Sequence, residues 1–340
     1  MSKVIFDKAN VVVVGGAGFI GSHLCERLLA DNKVICIDNF STGNVENIRF
    51  LMQSPNFVFI NHDITQPLDL LQIPDVQKFK IEFQGIQQIY NLACPTSVKN
   101  FDDLVIQTLD ANSLGMKNIL EMTRKFKAAL LHFSSSVVYG PRQVDNEHWD
   151  ENFVGQVDFT SPRACYDEGK RWAETMALTY RDYYQLPIKI ARVFRTYGPR
   201  MPLHDGQMIP DFIMNALDNK DLVIYGDKNF NTTLVYVDDV VDALLKIMNS
   251  SENDIFNVGS DVDYTLTAVA EKVLAMTGAK VKITYQDWLP FMTPLGKPNI
   301  SKIRNKLGWF PVINLEQGLT KTIEYARANI DLLHATNIPK

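Results

Sequence analysis

Val11-Val12-Val13-Val14-Gly15-Gly16-Ala17-Gly18-Phe19-Ile20-Gly21-Ser22-His23-Leu24 is the stretch on which the reading of the fold turns. Four consecutive β-branched residues suit a strand buried on both faces, the situation of a parallel sheet. The glycines behind them permit a tight turn, allow backbone to approach a pyrophosphate, and let a helix pack closely on the strand. A helix over about residues 19–30 then aims its N-terminal N–H groups and positive dipole end at that phosphate. The spacing Gly-x-x-Gly-x-x-Gly is weak alone and gains its meaning from the strand before it and the helix after it. Gly15, Gly18, Phe19 and Ile20 are therefore candidate dinucleotide contacts.

Further strands follow at the intervals of an α/β chain. Residues 33–37 form a second strand ending in Asp38, where a carboxylate can accept hydrogen bonds from ribose hydroxyls and repel a 2′-phosphate, favouring NAD over NADP. The polar turn after it offers Asn39, Ser41, Thr42 and Gly43 to the adenosine. A third strand, 57–60, leads to Asp63 and Ile64, which could flank the adenine. The fourth, 88–92, runs into Ala93-Cys94-Pro95-Thr96-Ser97. Ligands of open α/β sheets sit beyond the carboxyl ends of the strands, so Leu92, Ala93 and this loop should line the crevice.

An amphipathic helix is expected over about 103–126, with Leu104, Leu109, Leu114, Ile119 and Met122 as its packing residues. A fifth strand, 128–133, ends in Ser134-Ser135-Ser136-Val137, and a sixth, 187–193, in Phe194-Arg195-Thr196-Tyr197-Gly198-Pro199-Arg200. The remainder is less regular, with strand patterns at 222–226, 234–239 and 254–259 and helices near 266–277 and 315–330. The expected fold class is α/β: a Rossmann-type doubly wound parallel sheet with a smaller C-terminal substrate-binding part. Residues 1–195, with segments near 232–260, form the NAD-binding unit, and 196–340 supply most of a discontinuous second part.

A helix opened by Ser161-Pro162 carries Tyr166 and Lys170. Residues four apart on a helix share a face. A neighbouring ammonium favours the phenolate, so the pair suggests a general base for an alcohol whose pKa the lysine lowers. Without the other motifs, Tyr-x-x-x-Lys reads as an accident of a tyrosine-rich helix, and three serines in a turn read as capping.

The chain has 340 residues, enough for a sizeable core, and a formal charge of −5 with no basic stripe, which argues against a nucleic-acid partner. Its first residues lack the apolar core of a signal peptide, and no apolar run is long enough to span a membrane, so a cytoplasmic protein is expected. Cys25, Cys36, Cys94 and Cys165 fall in or beside apolar segments and read as reduced thiols. Six scattered histidines show no metal-ligand spacing, and no metal is expected.

Taken together and in this order, Gly15, Gly18, Gly21, Asp38, Asp63-Ile64, Asn91-Leu92-Ala93, the serine cluster, Tyr166 with Lys170, and Tyr197-Gly198-Pro199-Arg200 resemble the extended short-chain dehydrogenase/reductases of the nucleotide-sugar branch. Pro298-Asn299-Ile300-Ser301 and Leu307-Gly308-Trp309 extend the resemblance almost to the C-terminus. Pro162-Arg163-Ala164-Cys165-Tyr166-Asp167-Glu168-Gly169-Lys170-Arg171, Gly198-Pro199-Arg200-Met201 with Asp205-Gly206, and Asn91-Leu92-Ala93-Cys94-Pro95 are most similar to the UDP-glucuronate decarboxylase group.

That resemblance implies NAD as cofactor, a UDP-sugar substrate and chemistry through transient oxidation at C4. Tyr166 would take the hydroxyl proton, Ser135 would orient the hydroxyl, and Lys170 would hold the nicotinamide ribose. Pro95, Thr96, Ser136, Arg195, Thr196 and Arg200 would meet the substrate. It also implies a homodimer joined through about 103–126 and 165–184. The chain departs from the group at Val137, where a glutamate is usual, at Thr232 for an arginine, at Arg195 for an asparagine, and at Val98-Lys99-Asn100. The alternative reading is a 4-epimerase of a UDP-hexose or UDP-hexuronate, with a 4,6-dehydratase and a non-catalytic NAD-binding regulator behind it.

Overall fold

Alternate residues of each apolar strand face opposite ways, and here both faces are covered. Val11, Val34, Cys36, Leu131, Ala191 and Phe256 join one buried cluster, while Val12, Ile35, Ile37, Ile89, Leu130 and Ile190 join another on the reverse face. A sheet apolar on both sides needs helices on both sides, which explains the runs of β-branched residues. The computed structural model describes residues 8–330 apart from 97–102, 143–147, 203–205, 228–229, 290–291 and 293. The readings placed on residues 1–7, on Ser97, on Val98-Lys99-Asn100 and on Asp205 lie outside the described residues.

The seven strands of the main sheet are β1 (Asn10–Val14), β2 (Lys33–Asp38), β3 (Phe57–Asn61), β4 (Gln88–Asn91), β5 (Ala129–Ser135), β6 (Ile188–Val193) and β7 (Ile255–Val258). Their spatial order is β7-β6-β5-β4-β1-β2-β3, and every pairing is parallel. The chain runs outward from β1 through β2 to β3, then returns to β4 on the other side. This reversal leaves a crevice between the carboxyl ends of β1 and β4, where a dinucleotide sits in folds of this kind. The pattern at 254–259 contributes β7, so the C-terminal half completes the sheet.

Helix α1 (Phe19–Leu29) follows β1 directly. The expected helix at 103–126 begins later and is interrupted. It consists of α2 (Val105–Asp110), a π turn at Ala111–Gly115, and α3 (Met116–Phe126). α4 (Ala164–Tyr184) carries the tyrosine motif. It starts after Ser161-Pro162, because Ala164 N–H first closes a turn on the Ser161 carbonyl at 2.9 Å. Gly169 of α4 lies so close to Asn112 in the π turn that a Cβ there would meet Asn112 Nδ2 at 3.0 Å.

Helices Leu266–Thr277 and Leu315–Ala328 bury Val269, Val273, Leu319 and Ile323 in the same cluster as one sheet face. Among the described residues, no helix is long and apolar enough to cross a membrane.

Candidate active site

The turn after β1 is crowded enough to require glycine. Gly15 has φ +78°, and a Cβ on it would stand 2.7 Å from Ala93 N beyond β4. On Gly21, in the first turns of α1, a Cβ would meet the Gly15 carbonyl oxygen at 2.1 Å. Backbone therefore fills the space that side chains would occupy, and the N-terminus of α1 is drawn onto the strand end. The resulting cleft has a volume of about 260 Å³.

Gly15, Gly18, Phe19 and Ile20 form one wall. Asp38, Asn39, Ser41, Thr42 and Gly43 lie beyond β2, with Asp63 and Ile64 beside them, and Leu92, Ala93, Pro95 and Thr96 complete the β4 side. Asp38 accepts from Phe40 N at 2.8 Å and Ala17 N at 3.0 Å. Burial raises its pKa, against the pull of these two amides. A buried carboxylate fixed by its own backbone is preorganised to accept from sugar hydroxyls and unsuited to a second anion. The glycine cradle and this carboxylate are together a fit for NAD.

At the inner end of the cleft, Cys94 and Phe133 join its lining to the tyrosine helix. Cys94 packs against the cluster of Tyr166, Cys165 and Val137. Lys170 is 2% exposed and donates to the Phe133 carbonyl at 3.0 Å, with its Nζ 5.9 Å from the Tyr166 ring centroid. The Ser135 hydroxyl lies close enough to the Tyr166 phenol to favour its charged form. Ser135, Tyr166 and Lys170 are thus brought together as expected.

The electrostatics differ from the expectation. Burial pushes the Tyr166 phenol well above its ordinary pKa and Cys94 adds to the rise, while Ser135 and Arg163 pull the other way. Lys170 is not the dominant influence on the phenol, and its ammonium donates to the Phe133 carbonyl. Its charge instead helps burial keep His132 neutral.

The three serines separate by strand alternation. β5 runs on to Ser135, two residues further than expected, because Ser135 stays in register with Val193 of β6. Ser134 therefore faces the helix layer and donates to Glu174 at 2.5 Å, while Glu174 also pairs with Arg192 at 2.7 Å. Arg192 donates to the Tyr139 hydroxyl at 2.9 Å. This buried network ties α4 to β5 and β6. Ser136 begins a tight turn, Ser136–Tyr139, and is buried.

Of the other expected substrate contacts, Thr196 donates to the Phe194 carbonyl at 2.9 Å. Arg200 has φ +66° and turns back onto α1, where it pairs with Glu26 at 2.5 Å and lies over the Phe50 ring. It does not line the cleft. Thr232 is buried with its hydroxyl on the Thr233 carbonyl. Sequence reasoning missed Arg142, which joins Arg163 and Arg195 in one cationic group. No spacing signals it, since Arg142 is fixed by the carbonyls of Asn231 and Leu295, far along the chain.

An α/β enzyme with a dinucleotide crevice ending in a serine, a tyrosine and a lysine is the class that this geometry defines. The chain belongs to the NAD dependent epimerase/dehydratase family, whose model matches residues 11–259. It is 36% identical over 338 residues to UDP-glucuronic acid decarboxylase 1 of Xenopus tropicalis, covering 98% of this chain and 76% of that protein. Among solved structures it resembles the UDP-glucuronic acid 4-epimerase of Bacillus cereus in complex with UDP-glucuronic acid and NAD, at 25% identity and TM-score 0.80, over 94% of this chain and 99% of that one. It is also similar to the dTDP-glucose 4,6-dehydratase of Bacillus anthracis in complex with NAD, at 26% identity and TM-score 0.81, over 95% and 98% of the two chains. The cofactor is NAD.

Replacing Asp38 with alanine should raise the NAD dissociation constant about tenfold or more, the worth of a charge-assisted hydrogen bond, while NADP binding falls less. Fluorescence titration with both cofactors checks this, and equal weakening of the two would contradict the assignment.

Proposed function

We propose that the protein is a UDP-glucuronate decarboxylase that forms UDP-xylose by transient oxidation of the sugar at C4. The observation that carries the reading is the meeting of Ser135, Tyr166 and Lys170 at the inner end of the NAD crevice. Residues 1–195, with 232–260, serve the cofactor in this reading, and most of 196–340 surrounds the sugar nucleotide.

Bound NAD supplies the acceptor for the C4 hydride and afterwards its donor. The chain's own residues manage the proton and the geometry. Tyr166 takes the proton of the C4 hydroxyl, and Ser135, beside the phenol, orients that hydroxyl. Lys170 offers its remaining N–H donors to the nicotinamide ribose while the Phe133 carbonyl holds it in place. The product of the first step is a 4-keto sugar whose C5 carboxylate is β to the ketone. Such an acid loses CO₂ as its bonding electrons move into the enolate, with no strong base needed. Protonation at C5 and return of hydride to C4 complete the reaction.

Val137 is what keeps a second reading in play. It is buried against Tyr166 and Cys165, so no carboxylate stands at that position. An apolar wall there also suits a 4-epimerase, which needs only the oxidation machinery and room for the keto sugar to turn over. Incubating the protein with UDP-glucuronate should release CO₂ and UDP-xylose, whereas UDP-galacturonate without CO₂ would establish epimerisation instead. Tyr166→Phe should retain NAD binding and lose turnover by about 10²–10⁴-fold, the usual worth of general acid–base catalysis, and near-normal turnover would refute the assignment.

A cytoplasmic homodimer belongs to the same proposal. Support for the compartment comes from four free thiols, three of them buried. Support for the dimer comes from large apolar side chains left exposed on α2, the π turn after it and α4, elements that pack together: Ile106 is 64% exposed and Trp172 54%, and Leu109 and Leu114 are exposed too. Sedimentation should give a dimer for the wild-type protein and a monomer for Trp172→Glu. A wild-type monomer at micromolar concentration would contradict the pairing.

A further inference from the structure

Around Arg195 the structure gathers three guanidinium groups from three separate elements, one of which, Arg163, also acts on Tyr166. Arg163 stands immediately before α4, acts on the Tyr166 phenol, and donates to Asp167 Oδ1 at 3.3 Å. Arg142 follows the Ser136–Tyr139 turn and donates to the carbonyls of Asn231 at 2.8 Å and Leu295 at 3.0 Å, with its guanidinium 4.5 Å from the Phe230 ring centroid. Leu295 in turn packs into the cluster of Tyr166 and Val137. Arg195 lies two residues past Val193, the partner of Ser135 across β5 and β6, so strand register brings it to the same end of the sheet as the serine.

Arg195 is the unusual member. It is partly buried. Burial, then Arg163 and Arg142, lower its pKa to about 10, and among the described residues no carboxylate opposes them. Its guanidinium makes no ion pair or hydrogen bond among the described residues. Arg195 thus carries a charge that no described side chain neutralises, beside two further guanidinium groups, and an anion from outside would relieve it. The wall formed by Asn231–Thr233 carries no basic side chain, and the Thr232 hydroxyl donates to the Thr233 carbonyl. Arg142 reaches that wall through the Asn231 carbonyl, and the Arg195 carbonyl accepts from Val235 N at 3.0 Å.

The anion that fits depends on the nucleotide-sugar reading above. UDP-glucuronate carries a diphosphate and a carboxylate. A carboxylate that must leave as neutral CO₂ loses its charge in the reaction, so tight ion pairing would stabilise the ground state over the transition state and slow the enzyme. The diphosphate keeps its charge throughout, and planar guanidinium forks match its oxygens. We infer that Arg195, flanked by Arg142 and Arg163, seats the diphosphate of the nucleotide sugar and sets this enzyme's affinity for it.

Calorimetric titration of the NAD-loaded protein with UDP and, separately, with UDP-glucuronate tests this. Arg195→Asn should weaken both by about tenfold to hundredfold, in equal proportion, with NAD affinity unchanged. Arg195→Lys keeps the charge without the fork and should show a smaller loss in both. Weakening of UDP-glucuronate alone would assign the cluster to the carboxylate and overturn the inference, as would unchanged binding of both ligands to either variant. Wild-type protein that binds no UDP would overturn the nucleotide-sugar reading itself.

Discussion

An ammonium group with almost no access to water is the constraint around which the site is built. Lys170 is 2% exposed and, among the described residues, rests on a single carbonyl, that of Phe133, with an aromatic face at 5.9 Å. Removing such a charge from water costs several kcal/mol unless polar partners are supplied. One carbonyl and a weak cation–π contact offset part of that. Its other N–H donors have no acceptor among the described residues.

The same charge has consequences for its neighbours. His132 on β5 is driven toward the neutral form by burial and by Lys170, so it adds no second cation behind the site. Tyr166 is a buried phenol whose pKa is raised, and it relies on the Ser135 hydroxyl and the Arg163 charge to lean the other way. Rigid support comes from below. Glu174, one turn beyond Lys170, is gripped by Ser134 and Arg192, which locks α4 to the two strands that end at the site. Catalytic precision of this kind depends on such second partners more than on the reacting groups alone.

Much of this was legible in the sequence because it depends on local pattern. Runs of β-branched residues at regular intervals, glycines at a strand end and an acid at the next strand end translate directly into the sheet and its crevice. Every residue expected to meet the cofactor from Gly15 to Ala93 lines one cleft. What was not legible depends on contacts distant in the chain or on packing. The π turn at Ala111–Gly115 interrupts a helix that periodicity alone would continue. Arg200 follows a motif yet turns back to Glu26, because its backbone is left-handed. Arg142 is brought beside Arg195 by carbonyls at Asn231 and Leu295. The sign of the Tyr166 shift is set by how deeply the phenol is buried, which a four-residue spacing does not report.

The central claim is that hydrogen leaves C4 of the sugar and comes back to the same carbon without leaving the protein. UDP-glucuronate deuterated at C4, turned over in ordinary water with unlabelled NADH added to the solution, tests it directly when the product is read by mass spectrometry and NMR. The account predicts product that retains deuterium at C4 and a free NADH pool that stays unlabelled. Deuterium lost to water, or recovered in the free NADH, would contradict it.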